Sequence, residues 1–344
     1  MTQGDKRKKR KKYRVRYDRI IVLILIIAII AVLVSSCMKW ISGDNEKDNE
    51  SGNQNSVSDN SGSAPDEPTL PDENEPTSEA ATSATEAAGS SAENSAERSH
   101  DDIYKGDLIV VNADHEYKFP DGDIEVETLF DHKNECYGAG DYVTKLDKNT
   151  LSQLNEMMSA YAAYQGVTST DVFVLDGYRT FEEQADRHSS GKSKTFEAGH
   201  TDYHTGRTFD MFRNDQNSGS GYSYFTADAW FEENAGNYGF IVRYPEGKSE
   251  STGENPRTYT YRFVGIPHAS YINANRLSLE EYIDEVKRHT IEEPLTIEAG
   301  GKSYSVYYVA AQNEGNTSVP IPADKMYSIS GDNDGGFIVT VTLD

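Results

Sequence analysis

The chain has 344 residues and a formal net charge of −24, with 57 acidic residues against 33 basic ones. That length holds one or two domains plus accessory segments, and so acidic a body repels the phosphates of nucleic acid. Its only cysteines, Cys37 and Cys136, lie on opposite sides of a long polar segment and make no disulfide framework. Cys136 reads as a free, partly buried thiol.

The charge is unevenly placed. Residues 1–19 carry five lysines and five arginines against two aspartates. Residues 20–34 are unbroken hydrocarbon, and with residues 35–38 they reach the length of about 17–25 residues that a spanning helix needs. Because the basic residues come first, the tail 1–19 is expected in the cytoplasm and everything after the anchor (20–38) outside it. A cleaved signal peptide is one alternative. Another is a lipoprotein, since Val34-Ser35-Ser36-Cys37 resembles a lipobox with Cys37 as the lipidated residue. No small-x-small cleavage site follows the apolar run, which favours the anchor. Residues 39–102 are Ser, Glu, Asp, Asn, Pro, Ala and Thr with almost nothing to bury, and are expected to form a disordered acidic linker.

Pattern returns with Asp107-Leu-Ile-Val-Val-Asn112, which reads as a strand. Leu151, Leu154, Met158 and Tyr161 share one helical face, with Gly166 as the stop. Residues 171–175 read as a short buried strand. Thr180-Phe-Glu-Glu183 is a capping box, so a helix starts directly after Tyr178-Arg179. Residues 208–212, 238–244 and 259–264 read as strands, and Ser278-Leu-Glu-Glu281 caps a further helix. Beyond residue 293, 295–297 and 304–308 around Gly300-Gly301 form a hairpin pattern, and 337–342 a last strand. Strands and helices without a regular βαβ repeat indicate an α+β domain. It is placed at residues 103–289, with 290–344 as a small C-terminal β extension.

Two segments carry the chemistry: Gly199-His-Thr-Asp-Tyr203-His-Thr-Gly206-Arg-Thr-Phe-Asp210, and Arg257-Thr-Tyr-Thr260-Tyr-Arg262-Phe-Val-Gly265. They resemble the Ser-x-His-x-x-Gly-x-x-x-Asp and Glu-Pro-Trp-His segments of the VanY-type D-alanyl-D-alanine carboxypeptidases, zinc peptidases of the DD-peptidase/Hedgehog-like fold. Flanking matches run from about Leu108 to the C-terminus and include Tyr178-Arg179, Arg243-Tyr244-Pro245 and Gly265-x-Pro267-His268. The resemblance implies a peptidoglycan substrate, a zinc ion and a cell-wall location. Of the zinc ligands it implies, only Asp210 is kept. Tyr203 and Thr260 stand where the family has histidines, and Arg257 where it has the catalytic Glu.

A hydrolytic zinc site needs three protein ligands and a base that takes the water's proton. A phenol and an alcohol are poor ligands, and a guanidinium cannot accept a proton. No cofactor is therefore expected here, although the family uses zinc. A charge count suggests that Arg257 replaces the metal by pairing with Asp210. His200, His204 and His268 are the histidines from which another metal site would have to be built. The resemblance also makes Arg179 the residue that grips a peptide's terminal carboxylate, with Tyr178 and Gln184 beside it; the substrate-binding set is Tyr178, Arg179, Gln184, Asp210 and Arg257. Three readings remain open: a catalytically impaired pseudo-peptidase that binds stem peptide or an extracytoplasmic protein, an active zinc carboxypeptidase with a rearranged metal site, and a structural or signalling ectodomain with a closed cleft.

Overall fold

The computed structural model describes residues 93–122, 124–193 and 196–344; the tail, the anchor and the linker up to residue 92 lie outside the described residues. In chain order the strands are β1 (Glu93–Ser99), β2 (Val126–Thr128), β3 (Gly138–Ala139), β4 (Lys145–Asp147), β5 (Val172–Leu175), β6 (Thr208–Asn214), β7 (Tyr222–Tyr224), β8 (Phe240–Tyr244), β9 (Arg257–Phe263), β10 (Leu295–Ala299), β11 (Lys302–Ala310), β12 (Asn316–Pro322), β13 (Tyr327–Gly331) and β14 (Gly336–Thr342). The helices are α1 (Leu129–His132), α2 (Lys148–Gln165), α3 (Phe181–Ser189), α4 (Ala229–Asn234), α5 (Ser249–Thr252), α6 (Ile266–Asn275) and α7 (Leu279–Val286).

The central sheet has the order β3-β5-β6-β9-β8, with β7 paired to β6, and only β3 runs parallel to its neighbour. Side chains alternate between the two faces of a strand. One face therefore carries Val172, Val174, Phe209, Met211, Tyr261 and Phe263, which close a core with Leu151, Leu154, Met158 and Tyr161 of α2. Asp147 caps α2 by accepting from Thr150 N, and Gly166 ends it at φ 69°. The opposite face is read in rungs along β6 and β9: first Thr208 with Arg262, then Asp210 with Thr260 and Leu175, then Phe212 with Phe173 and Tyr224.

The first rung holds a buried ion network. Asp202 accepts from Arg262 Nη1 at 2.5 Å and from the Thr208 hydroxyl, and lies 3.4 Å from Arg243 Nε. Arg243 continues to Glu280 in the first turn of α7, at 2.7 Å. Asp202, Arg243 and Arg262 are all fully buried. Burial alone would raise the Asp202 pKa, but the charges of Arg262 and Arg243 overcome it and hold the carboxyl below its usual range.

The segment 107–112 is not the strand expected from its apolar run. Leu108 to Val111 are buried, but side chains, together with main-chain bonds from Val110 N to Asp332 O and Asn112 N to His115 O, satisfy the backbone in place of a ladder. Arg262 Nη2 donates to the carbonyls of Asp107 and Ile109, Asn333 Nδ2 to Val110 O and Arg243 Nη2 to Val111 O, and Leu108 N donates to Ser330 Oγ. The end of the expected linker is also corrected. Residues 93–99 form β1, antiparallel to β12 from Glu93↔Pro322 to Ser99↔Asn316. Main-chain pairing needs no apolar pattern, and only Ala96 of this strand packs on the cluster that holds Val319 and Ile321.

β10, β11, β14 and β13 form a four-stranded antiparallel sheet in that order. Ile297, Val306 and Ile338 from it share a core with Val264, Ile272, Leu279, Ile283 and Val286 of the neighbouring strand end and helices. The residues beyond 290 therefore pack into a common core with α6 and α7.

Removing the charge of Asp202 leaves two buried guanidiniums without their shared carboxylate. Breaking a buried pair of this kind costs about 3–5 kcal/mol, so Asp202→Asn is expected to lower unfolding stability by that order in denaturant titration. In the native chain the Asp202 contribution is present above the unfolded carboxyl pKa and is lost as pH falls through its lower folded value.

Candidate functional site

Asp210 sits on the second rung, one strand pair from Asp202's anchors. It is 7% exposed. Two hydroxyls donate to its Oδ1: Tyr203 at 2.6 Å and Thr260 at 2.7 Å. Thr260 is delivered by register, directly opposite Asp210 on β9. Tyr203 is delivered by the 3-10 turn Asp202–Thr205, which is held from below by the Asp202 network and ended by Gly206 at φ 71°. A Cβ at Gly206 would meet Val126 Cγ1 at 3.1 Å in a backbone conformation that side chains rarely adopt, which accounts for glycine at this point of the motif.

Burial pushes the Asp210 pKa up to about 6; the hydroxyls of Tyr203 and Thr260 pull it back in part, Asp176 adds to the rise and Arg179 opposes it. Burial and the neighbouring Asp210 charge raise the Tyr203 phenol well above its ordinary value, so it stays a proton donor.

Arg179 lies on the other side of Tyr203, its guanidinium 3.9 Å from the ring centroid. Its Nη1 donates to Gln184 Oε1 at 2.9 Å, and its Nη2 is 3.4 Å from Asp176. Gln184 in turn donates to Phe196 O at 2.7 Å. The Thr180–Glu183 capping box is formed as expected and starts α3 directly behind Arg179. Tyr178 is half-buried, and its backbone N donates to Lys145 O. Among the described residues, Arg179 Nε is buried with no hydrogen-bond partner, an N–H that a bound oxygen would satisfy.

Arg257 does not take Asp210 as its carboxylate. Its guanidinium lies 4.5 Å from the Phe196 ring centroid and 6.0 Å from that of Tyr244, with Nη2 3.8 Å from Glu254. The physical reason is register. Arg257 pairs with Tyr244, three residues from the Asp210–Thr260 rung, and the side chains that reach Asp210 Oδ1 are the two hydroxyls. Arg179, Gln184, Tyr203, Asp210 and Thr260 are thus linked directly, while Arg257 joins them through Phe196. Tyr244 had no readable signal as a partner of Arg257, because only the pairing of β8 with β9 sets the two side by side.

The three histidines are drawn into the scaffold. Gly199 N donates to His204 Nε2, which leaves the proton on Nδ1 for Arg179 O at 2.6 Å; burial lowers this imidazole to about 4. His268 bonds Tyr282 through Nδ1 and Thr340 through Nε2, and burial lowers it to about 4. His200 Nδ1 donates to Asn112 O. No cluster of three or more His, Cys, Asp or Glu side chains suited to a metal exists among the described residues. The donors at the ligand positions do not fit zinc, for the Tyr203 and Thr260 oxygens spend their protons on the one remaining carboxylate.

A carboxylate, two hydroxyls that donate to it and an arginine are thus gathered, all of them buried, on one face of an antiparallel sheet. The family profile described as VanY, D-alanyl-D-alanine carboxypeptidase, matches residues 143–266. A D-alanyl-D-alanine carboxypeptidase of Enterococcus faecium is 30% identical over 256 residues, covering 73% of this chain and 80% of that protein. The bifunctional D-Ala-D-Ala dipeptidase and carboxypeptidase VanXYC of Enterococcus gallinarum is 33% identical over 33% of this chain and 67% of its own length. Among solved structures, the vancomycin-resistance D,D-dipeptidase VanXYg, bound to a D-Ala-D-Ala phosphinate analog, superposes with a TM-score of 0.62 at 24% identity, covering 73% of this chain and 99% of that one; this likeness is one of fold. The chain belongs to the VanY-type D-alanyl-D-alanine carboxypeptidase family.

The native state holds the Asp210 proton up to about pH 6, whereas the unfolded chain releases it near the ordinary carboxyl value of 3.8. Between those values the native state binds more protons, so this group's contribution to stability falls as pH rises and the loss is complete above about pH 6. Asp210→Asn keeps an oxygen that accepts both hydroxyls and removes the charge. Its melting temperature is expected to match or exceed the parent's at pH 8 by a few degrees, with the difference closing toward pH 4; a clear loss at pH 8 would contradict a burial cost on the ionised carboxyl.

Proposed function

We propose that this chain is a non-hydrolytic member of its family, anchored by residues 20–38 with its folded part outside the cell. There it binds a peptidoglycan stem peptide ending in D-Ala-D-Ala. Residues 103–289 form the unit that carries the site, and residues 290–344 extend it. The observation that carries the reading is the pair of hydroxyl hydrogen bonds that converge on Asp210 Oδ1, at 2.6 and 2.7 Å. They occupy the positions of two metal ligands with groups that donate protons rather than lone pairs.

Arg257 supports the same reading from the position of the base. A guanidinium stays protonated in water, so it cannot draw a proton from an attacking water molecule. The binding half of the machinery is kept. Arg179 is buried, its Nε is unpartnered, and its Nη1 is held by Gln184. A planar fork so fixed suits a carboxylate, the end group of the peptide.

The test is metal analysis, release of D-alanine and calorimetric binding, all on the purified chain. The expected result is no stoichiometric zinc, no release of D-alanine from the pentapeptide, and binding of the free-acid pentapeptide with at least tenfold loss for its C-terminal amide. Stoichiometric zinc with D-alanine release would overturn the proposal, and equal binding of acid and amide would remove Arg179 as the anchor. Because the side chains at 203 and 260 already converge on Asp210, the double substitution Tyr203→His with Thr260→His is expected to gain zinc at one ion per chain. Absence of zinc in that folded variant would show that the lost ligands are not what excludes the metal.

A further inference from the structure

The third rung of the sheet face described above is aromatic. Phe173, Phe212 and Tyr224 lie across it, and Tyr222 stands opposite Asn214 one rung further on. Tyr259 stacks on Tyr224 with centroids 4.1 Å apart at 22°, and Phe212 lies 5.3 Å from Tyr224. Phe173 meets Tyr222 edge-on at 6.0 Å. The row is left open to solvent, with Tyr222 43% and Tyr224 60% exposed. Its members are uncharged, and Arg213, the nearest cation on β6, is turned to the other face and bonded to Asp171 and Tyr161.

We infer that this row, from Tyr259 to Tyr222, is a saccharide subsite that takes the amino-sugar ring joined to the N-terminal end of the stem peptide. The inference rests on the stem-peptide reading of the Asp210–Arg179 site. Three features carry it. Phe173, Phe212, Tyr224 and Tyr222 continue the face that carries Asp210, and Tyr259, next to Thr260 on β9, joins them by stacking on Tyr224. Its chemistry matches a neutral ring with apolar faces and a polar rim: the face of an aromatic ring carries partial negative charge and attracts the sugar's C–H bonds, while tyrosine hydroxyls meet the rim. Its distance also fits. Two rungs separate Asp210 from the Asn214–Tyr222 pair, about 14 Å at roughly 3.4 Å per residue, and four extended peptide residues span about the same length. An anionic lipid surface is disfavoured, because the row offers no cation and the chain as a whole carries −24.

The experiment uses the purified full-length chain and two probes, the free stem pentapeptide and the same peptide carrying an N-acetylmuramyl group. The sugar is expected to tighten binding about tenfold. Tyr222→Ala is expected to erase that gain and leave affinity for the free pentapeptide within twofold, whereas Tyr222→Phe retains most of it; Tyr224→Ala serves as a second variant should Tyr222→Ala fail to fold. If the pentapeptide binds and the sugar adds nothing, the saccharide subsite is wrong while the stem-peptide reading stands. If the gain survives in both alanine variants, the sugar sits elsewhere and the inference is likewise overturned. Binding of neither probe overturns both readings. A concentration-dependent dimer in sedimentation that Tyr222→Ala abolishes would overturn it in favour of a second copy of this chain.

Discussion

Asp202 shares its carboxylate between Arg262 and Arg243, and much of the molecule is assembled around that sharing. Through Arg262 it fixes β9 and the irregular segment 107–112; through Arg243 it reaches Glu280 and so the start of α7. The same residue opens the 3-10 turn that places Tyr203 over Asp210. Ionic groups this deep are costly to desolvate, and here the cost is offset because each has several partners. The motif that carries Tyr203 and Asp210 is thus also the scaffold's central fastening, so side chains on it can change while the architecture around them is kept.

Much of the fold was legible because its signals are local. The capping boxes at Thr180 and Ser278, the glycine stop at Gly166 and the strand patterns in 208–212 and 337–342 each depend on residues a few positions apart, and each appears as an element. The failures share a cause as well. The run 107–112 looks like a strand, but side chains from Arg243, Arg262 and Asn333 replace its ladder, and nothing within six residues announces them. β1 looks like linker because an edge strand held by main-chain hydrogen bonds needs no apolar pattern.

The site shows the same division. Tyr203, Thr260 and Arg257 could be recognised as replacements from their motif positions, and Asp210 as the residue retained. What partners Asp210 could not. Counting charges favoured an Asp210–Arg257 pair, but the register puts Thr260 opposite the carboxylate and sends Arg257 to Phe196, Tyr244 and Glu254. Neutral hydroxyls bridge where an ion pair was anticipated, and they offset only part of the rise that burial imposes on the carboxyl pKa.

The pairing of β1 with β12 bears on where the chain can be cut. The two form a sheet of their own, so β12 has no other strand beside it among the described residues. A fragment begun at residue 103 would strip that cover, baring a seven-residue edge whose free amides and carbonyls invite association between molecules. Trimming upstream of residue 93 keeps the edge closed, so the polar stretch just ahead of the compact body acts as its seam.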